Sequence, residues 1–235
     1  MINYAHRGAS EYAPENTMAS FYLGLELGAN GIETDVRETK DGVLVLFHDE
    51  TTLRLTGEDI KVTDMTYDEL YRKDLGSFKD NKYANEKVVS FEDFLKYFSA
   101  KDIEFAIEIK APNIEKKVVD MIYKYDCAEK VTITSYHFDF LVNIRLFNSE
   151  IRLGLLRKTH PEGILDELIQ HGINQYCPKI DFVTNDLVAK AHALGLTVRV
   201  FSIKTIEHMY KAIDLGVDGM TINFPDKLCK ALKSE

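Results

Sequence analysis

The sequence predicts an α/β fold, and within that class a (β/α)8 TIM barrel with a small subdomain inserted after the second strand. Apolar β-runs alternate with helical segments along the chain, which indicates parallel strands joined by helices. About eight strands are each followed by a helix or its replacement, and the length of 235 residues is near the ~250 usual for this barrel. An open doubly wound sheet would show the same alternation, but the strand count favours the barrel.

The first βα unit begins with a polar motif. A short strand at 2–6 ends in His6-Arg7-Gly8. Apolar residues at helical spacing then predict a helix over 17–27, with Asn16 as its N-cap and a glycine as its stop. This unit is expected to place His6 and Arg7 at the carboxyl end of its strand.

The second strand and its return arm carry several ionisable side chains. Asp41-Gly42 predicts a two-residue turn between them, because this dipeptide tolerates the positive φ angles that such a turn requires. The register set by that turn would bring Asp35 opposite His48. Glu33 lies two residues from Asp35 and shares its face. A solvated hairpin with one polar face is the structural alternative.

The rest of the chain supplies the insertion and the other barrel units. Residues 50–89 are polar and irregular, with one short helix predicted at 67–73, and are expected to form the insertion. No linker-like or low-complexity stretch occurs, so residues 1–235 are expected to form a single domain. The other predicted strands are 31–40 with its return arm 43–48, 103–109, 131–135, 151–156, 173–178, 197–202 and 219–223, and the other predicted helices are 91–98, 115–125, 138–147, 161–171, 186–194, 206–215 and a last one from 225.

Composition and charge argue against several classes of partner. With 29 basic and 38 acidic residues, the chain has a formal charge of −9, which repels nucleic acids and anionic membranes. Its three cysteines are far apart and suit free thiols in a reducing compartment. The first residues lack the features of a signal peptide, and no apolar run reaches the ~18 residues of a membrane-spanning helix. We therefore expect a soluble cytoplasmic protein without stable membrane association, and leave its oligomeric state open.

Ionisable residues gather where the predicted strands end. Barrel active sites lie at the carboxyl ends of strands, and buried charges there must be neutralised by a metal, by a ligand or by one another. Glu108 and Lys110 alternate with isoleucine and so share a face. A salt-bridged strand end without chemistry is the alternative. The residues concerned are His6, Arg7, Glu33, Asp35, His48, Glu108 and Lys110.

These residue types suit phosphoryl chemistry. Three carboxylates offer oxygen ligands for one divalent cation, Mg²⁺ or Ca²⁺. Two histidines then remain free to act as a base and an acid, while an arginine and a lysine supply the positive charge that phosphate oxygens require. The carboxylates are Glu33, Asp35 and Glu108, the histidines are His6 and His48, and the cations are Arg7 and Lys110.

The chain resembles glycerophosphodiester phosphodiesterases of the bacterial cytosolic type, nearly from end to end. Each shared motif alone would be weak evidence, but together, in this order and at these spacings, they are specific. The motifs are His6-Arg7-Gly8 with Pro14-Glu15-Asn16-Thr17, Gly31-Ile32-Glu33-Thr34-Asp35-Val36 through Asp41-Gly42 to His48-Asp49, Leu53-Arg54-Leu55-Thr56-Gly57 with Val62-Thr63-Asp64-Met65-Thr66, Ile107-Glu108-Ile109-Lys110, and Gly216-Val217-Asp218-Gly219.

The resemblance implies a barrel enzyme that uses a divalent metal to release sn-glycerol 3-phosphate and an alcohol from a small-molecule glycerophosphodiester. It implies attack by the glycerol 2-hydroxyl on phosphorus, followed by opening of a cyclic phosphate by water. Carried over by position, His6 is the base and His48 the acid of the first step, and the two exchange roles in the second. The resemblance also implies metal binding by Glu33, Asp35 and Glu108, and phosphate binding by Arg7 and Lys110.

Two positions depart from the family pattern, and three other functions stay open. Phe201 replaces a frequent Trp, and Asn223 replaces a frequent Asp; both departures are interpreted as affecting substrate fit before catalysis. A lysophospholipase D could use the same groups on a longer substrate. A lyase could form a Schiff base on Lys110. A third possibility is a barrel that binds the phosphodiester without hydrolysing it.

Overall fold

Eight parallel strands close into a barrel in the computed structural model, which describes residues 1–233. The strand order is β1-β9-β8-β7-β6-β5-β4-β2, and β1 also pairs with β2, so the sheet has no open edge there. This confirms the predicted TIM barrel and excludes the open sheet. The strands are β1 Ile2–His6, β2 Gly31–Glu38, β3 Leu44–Leu46, β4 Glu104–Ile109, β5 Val131–Ser135, β6 Arg152–Arg157, β7 Gln175–Pro178, β8 Thr197–Ile203 and β9 Gly219–Ile222.

Helices cover the outside of the barrel, as the alternation predicts. The core lies between strands and helices, where apolar residues of both are fully buried. Within residues 1–233 no helix has the length and apolar character needed to cross a membrane. The helices are α1 Met18–Glu26, α2 Leu53–Thr56, α3 Tyr67–Tyr71, α4 Phe91–Phe98, α5 Glu115–Lys124, α6 Phe138–Phe147, α7 Ile164–Gln170, α8 Asn185–Ala193, α9 Ile206–Asp214 and α10 Pro225–Leu232.

The insertion follows the short arm β3 and carries α2 and α3. It has a small apolar core of its own, separate from the barrel core. Two residues of the hairpin arm, Val45 and Phe47, belong to this second core, so the insertion packs directly on the barrel's own hairpin. The other buried members are Leu55, Val62, Met65, Leu70, Leu75 and Val88.

The predicted register of the hairpin is wrong by one residue. Val36 pairs with Leu46, and the backbone N–H of Thr39 donates to Val43 across a three-residue loop. Gly42 adopts a positive φ of 82° and Asp41 does not, which fits a three-residue loop rather than the predicted turn. The insertion explains the difference, because the Asp41 carboxylate accepts a hydrogen bond from Tyr67 N–H at 2.9 Å. His48 therefore does not lie opposite Asp35.

The start of the first helix also differs from the prediction. The N-cap of α1 is Thr17, whose side chain accepts from Ser20 N–H while Ser20 caps Thr17 in return. Asn16 is not the cap. Its side chain bonds Asp35 and Thr34 instead, at 3.0 and 2.8 Å, so it belongs to the site described next.

Candidate active site

The strands bring the predicted site residues to one end of the barrel. Parallel pairing sets His6, the last residue of β1, beside Glu33, and it sets Asp35 beside Glu108, the second-last residue of β4. A cavity of about 220 Å³ opens there. Six of the seven predicted residues line it, and the seventh, Asp35, is fully buried beside them. The six are His6, Arg7, Glu33, His48, Glu108 and Lys110.

Three buried carboxylates form the acidic part of the site. Glu33, Asp35 and Glu108 each offer one oxygen, and these oxygens lie within 4.8 Å of one another. Oxygens that bind one Ca²⁺ at ~2.4 Å can be at most about 4.8 Å apart, so this spacing suits a single ion. Asp35 Oδ1 is buried and accepts no hydrogen bond. The trio therefore fits a hard divalent cation.

Without such a cation, burial and mutual repulsion disfavour full ionisation of the three carboxylates. Burial, and then the charge of Asp35, raises the pKa of Glu33 to about 8. Burial also raises the pKa of Glu108, although Lys110 opposes it. Burial would raise the pKa of Asp35 too, but the cations of Arg7 and Lys110 outweigh burial and keep that pKa low. Asp35 is thus ionised, and its neighbours favour a proton or another positive charge.

Arg7 and Lys110 contribute fixed positive charge next to the trio. Arg7 Nε lies 3.1 Å from Asp35 Oδ2, and Lys110 Nζ lies 2.6 Å from Glu108 Oε1 and 3.4 Å from Asp35 Oδ1. Both cations also line the cavity. They can therefore hold an anion in the cavity while compensating the carboxylates beneath it.

The position of Arg7 depends on a left-handed turn at the end of β1. Arg7 has a φ of 55° and Gly8 a φ of 82°. A Cβ at Gly8 would meet the backbone carbon of Ser20 at 2.4 Å, so only glycine fits against α1. Asn16 N–H donates to Arg7 carbonyl at 3.0 Å and fastens the turn. The His6-Arg7-Gly8 motif is thus locked to the loop that precedes the helix.

His6 is held from the last strand of the barrel. Its Nδ1 lies 2.6 Å from Asn223 Oδ1, and its Nε2 lies 3.9 Å from Glu33 Oε2. Burial, and then the charge of Arg7, lowers the pKa of His6 to about 4, so the ring is a neutral imidazole at pH 7. With Asn223 accepting from Nδ1–H, Nε2 is free to take a proton. Asn223 therefore contacts a candidate catalytic ring, and its predicted effect on substrate fit stays a prediction.

His48 reaches the site from the loop after β3. Its carbonyl accepts two hydrogen bonds from Arg37 on β2, from Nε at 3.0 Å and Nη2 at 2.9 Å. Its Nδ1 lies 2.6 Å from Asp49 Oδ1. Because an ionised carboxylate can only accept, His48 carries hydrogen on Nδ1 and directs Nε2 elsewhere. Arg37 therefore fixes the backbone at His48, and Asp49 fixes the ring. The strand register alone does neither.

The rim of the cavity carries aromatic and apolar side chains. Phe201 packs edge-to-face on Tyr136, with ring centroids 5.8 Å apart. Ser202 has a φ of 64° at an irregularity in the β8–β9 pairing, a conformation that is strained for a non-glycine residue. Phe201 and Tyr136 both line the cavity.

Sequence reasoning missed six residues that hold the site together. Glu15 and Asn16 precede the first helix, where only a helix start was predicted. Asp49 follows His48, and Arg54 lies in the insertion. Arg37 was given no role, and Asn223 was assigned to substrate fit. Four of the six lie in motifs shared with the family, and this is the signal that could have found them, because no sequence spacing identifies partners that meet only after folding. They are Glu15, Asn16, Arg37, Asp49, Arg54 and Asn223.

A wider cavity on the outside of the barrel lacks comparable chemistry. It measures about 620 Å³ and lies beside α4 and α5. Its charged groups form ion pairs, among them Lys124 with Glu92 at 2.7 Å and Lys96 with Asp93 at 3.1 Å. These are ordinary surface pairs, so the smaller cavity at the strand ends is the candidate active site.

A TIM barrel with buried carboxylates, cations and two oriented imidazoles at its strand ends defines a barrel enzyme. Comparison with known proteins identifies its family. The sequence model of the glycerophosphoryl diester phosphodiesterase family matches residues 6–227. A glycerophosphodiester phosphodiesterase from Caldanaerobacter subterraneus is 32% identical over 97% of this chain and 96% of that protein. The chain therefore belongs to the glycerophosphoryl diester phosphodiesterase family.

Solved structures agree with that assignment. An Oleispira antarctica phosphodiesterase, in complex with the product sn-glycerol-3-phosphate, superposes with a TM-score of 0.90 at 26% identity, over 98% of this chain and 96% of that chain. A glycerophosphodiester phosphodiesterase from Agrobacterium tumefaciens gives a TM-score of 0.85 at 23% identity, over 98% of this chain and 100% of that chain. The second likeness shows the fold alone, and the fold is the same barrel.

Proposed function

We propose that this enzyme hydrolyses glycerophosphodiesters to sn-glycerol 3-phosphate and an alcohol, with a divalent metal and two histidines. The observation that carries the proposal is the gathering of an acidic trio, two cations and two oriented imidazoles at one cavity of about 220 Å³. The product named in the Oleispira antarctica complex is the same phosphate ester. No other arrangement of groups in residues 1–233 offers the same combination.

Glu33, Asp35 and Glu108 are proposed to hold the metal, Mg²⁺ or Ca²⁺. Support comes from their shared oxygen spacing and from Asp35 Oδ1, which accepts no hydrogen bond although it is buried. A divalent ion bound there would act as a Lewis acid on the phosphoryl oxygens. Arg7 and Lys110 are proposed to contact the phosphate, since both cations line the cavity above the trio.

His6 is proposed as the general base and His48 as the general acid of the first step. His6 Nε2 would accept the proton of the attacking hydroxyl, because its Nδ1 is engaged by Asn223. His48 Nε2 would donate a proton to the oxygen of the departing alcohol, because its Nδ1 is engaged by Asp49. In the second step, in which water opens the cyclic phosphate, the two rings would exchange roles.

The environment of Lys110 favours phosphate binding over a Schiff-base lyase. Burial would lower its pKa, but Asp35 and Glu108 outweigh burial and raise it. Lys110 is therefore an ammonium at neutral pH and has no lone pair for attack on a carbonyl. A Lys110→Arg variant that keeps its activity would exclude the lyase independently.

We further propose that the chain acts as a single domain and in the cytoplasm. The insertion shares Val45 and Phe47 with the barrel hairpin, which supports one folding unit. All three cysteines are free, and Cys127 and Cys177 are buried, which supports a reducing compartment.

The decisive experiment is an assay of glycerol 3-phosphate release from glycerophosphocholine and glycerophosphoethanolamine. The purified protein is first treated with EDTA, and Mg²⁺, Ca²⁺ or Mn²⁺ is then restored separately. We expect release to stop with EDTA and to return with at least one metal. Release of product from lysophospholipids alone would favour the lysophospholipase D, and binding by calorimetry without product would favour the non-catalytic alternative.

A further inference from the structure

A chain of alternating charges runs from His48 through the insertion and back to the active site. His48 Nδ1 lies 2.6 Å from Asp49 Oδ1, and Asp49 Oδ2 accepts from Arg54 Nε at 2.6 Å. The two terminal nitrogens of Arg54 each donate to Glu15 at 2.7 Å. Glu15 Oε1 then accepts from Arg7 Nη1 at 2.9 Å. Both ends of the chain are candidate site residues.

Arg54 is the residue that joins the two halves of this chain. Three of its nitrogens are engaged, two of them in a bidentate pair with Glu15. Only a guanidinium has the planar fork that can hold two carboxylates in fixed directions, whereas an ammonium is a single point charge. Glu15 is itself only 11% exposed and lies between two guanidinium groups. Removing Arg54 would therefore release two carboxylates that each orient another group.

Arg54 is not needed to fasten the insertion to the barrel. Lys79 Nζ donates to Ser10 carbonyl at 2.7 Å, and Tyr83 OH donates to Tyr12 carbonyl at 3.1 Å. The shared apolar core adds to these contacts. Arg54 is 45% exposed, and ion pairs of exposed side chains contribute little to stability. Its engagement of three nitrogens calls for an explanation other than stability.

We propose that Arg54 is a positioning residue for both His48 and Arg7, a role that rests on the hydrolysis proposed above. Through Asp49 it fixes the tautomer and ring direction of His48. Through Glu15 it fixes the direction of the Arg7 guanidinium that faces the phosphate. The insertion is thereby part of the catalytic arrangement, because it supplies a group that aligns a proton donor with a phosphate-binding cation.

The two branches of this arrangement predict different kinetic defects. Asp49→Asn disturbs only the His48 branch, so kcat should fall while KM stays near the wild-type value. Glu15→Gln disturbs the Arg7 branch, so KM should rise and calorimetry should show weaker binding of sn-glycerol 3-phosphate. Arg54→Met should show both defects, with kcat/KM lowered by about 10–100-fold, the usual cost of losing a group that orients an active-site residue.

A double variant tests the connection between the branches. Because Asp49 acts on His48 only while Arg54 holds it, Asp49→Asn with Arg54→Met should lower kcat no more than about threefold beyond the worse single variant. Arg54→Lys should recover little of kcat, since an ammonium cannot hold both carboxylates. Fully additive defects, or full recovery by Arg54→Lys, would overturn the proposal.

Controls separate positioning from folding and from the proposed function. Lys73→Met removes another cation of the insertion, which pairs with Glu58 at 2.6 Å away from the cavity, and should keep wild-type kinetics. Circular dichroism melting should give similar Tm values for Lys73→Met and Arg54→Met. If wild type releases no glycerol 3-phosphate, the proposed function fails. If wild type is active and Arg54→Met matches it in kcat and KM, or loses activity only in step with a lower Tm, the positioning role fails.

Discussion

The two halves of the active site are built on different principles. The half carried by barrel strands consists of Glu33, Asp35 and Glu108, which are 4%, 0% and 6% exposed. The half carried by the hairpin loop and insertion includes His48 and Asp49, whose side chains are 31% and 26% exposed. The first half is buried among compensating cations, and the second is more solvated and is oriented by hydrogen bonds to the insertion.

The difference shows what each half requires from the rest of the molecule. Buried carboxylates are costly unless cations accompany them, so the strand-borne half is defined by charge balance. Partly exposed groups keep much of their hydration, so they need less compensating charge. The loop-borne half instead depends on hydrogen bonds that set the direction of each side chain. Removing a strand-borne carboxylate should therefore remove function outright, whereas removing a loop-borne partner should misdirect a group that is still present.

The largest expected effect comes from Glu108→Gln. The change removes one of three oxygen ligands while keeping the side-chain shape, so metal-stimulated release should fall by about a thousandfold or more. The fold should survive, because fewer like charges repel one another and Lys110 keeps Asp35 at 3.4 Å. Product release and the melting curve are measured together.

A matched control lies on the same strand. Glu104→Gln alters the other end of β4, where Glu104 pairs with Arg152 at 2.6 Å, and should leave turnover near wild type. Glu108→Gln turnover within tenfold of wild type would contradict the assignment of this carboxylate to the metal.

A smaller but more specific effect is expected from His48→Gln. Loss of a general acid should lower kcat/KM by about 100-fold or more for a diester of an ordinary alcohol. With a glycerophosphodiester of p-nitrophenol, whose leaving group needs little protonation, the loss should shrink to less than about tenfold. Release of nitrophenolate and of glycerol 3-phosphate gives the two rates.

His6→Gln sharpens the same comparison, because a lost base should cost as much with either substrate. His160→Gln is the control, since that ring bonds Tyr176 at 2.9 Å and lies outside the site. An equal defect of His48→Gln on both substrates would argue against its role as the acid, and a defect of His6→Gln confined to the ordinary alcohol would reverse the assignment.

The sequence was sufficient for the strand-borne half. Glu33 and Asp35 share a face because side chains alternate along a strand, and Glu108 joins them because parallel strand ends meet at one edge of the barrel. Barrel strand number, most element boundaries and the clustering of the three strand-borne carboxylates could be predicted in this way. These features follow from local periodicity and from one topological rule.

The loop-borne half could not be derived in the same way. His48 was predicted at the site through a hairpin register that is wrong by one residue, and it arrives instead through Arg37 and the loop after β3. Arg54 and Glu15 are 39 residues apart, and Asn223 lies 217 residues from His6. No periodicity links such positions, because their pairing depends on tertiary packing.

The smallest expected effect is on stability, and it tests the strand-borne half without any substrate. In the metal-free protein the pKa of Glu33 is raised from its ordinary 4.5 to about 8, by burial and then by Asp35. The folded state therefore holds this proton more tightly than the unfolded chain does. The contribution of Glu33 to the free energy of unfolding is fully present below 4.5, its ordinary pKa in the unfolded chain, and it declines as the pH rises from about 5 to 8.

Adding Ca²⁺ or Mg²⁺ should reverse that decline, because binding requires ionised carboxylates and meets less competition from protons at pH 8 than at pH 5. At a hundredfold excess over Kd the gain is about 2.7 kcal/mol, or roughly 5–10 °C in Tm for a chain of this size. Asp49→Asn should keep the metal-induced rise in Tm, and Glu108→Gln should lose most of it. An equal rise at pH 5 and pH 8, or a full rise in Glu108→Gln, would mean that the ion binds elsewhere, and the division between a charge-balanced half and a directed half would no longer hold.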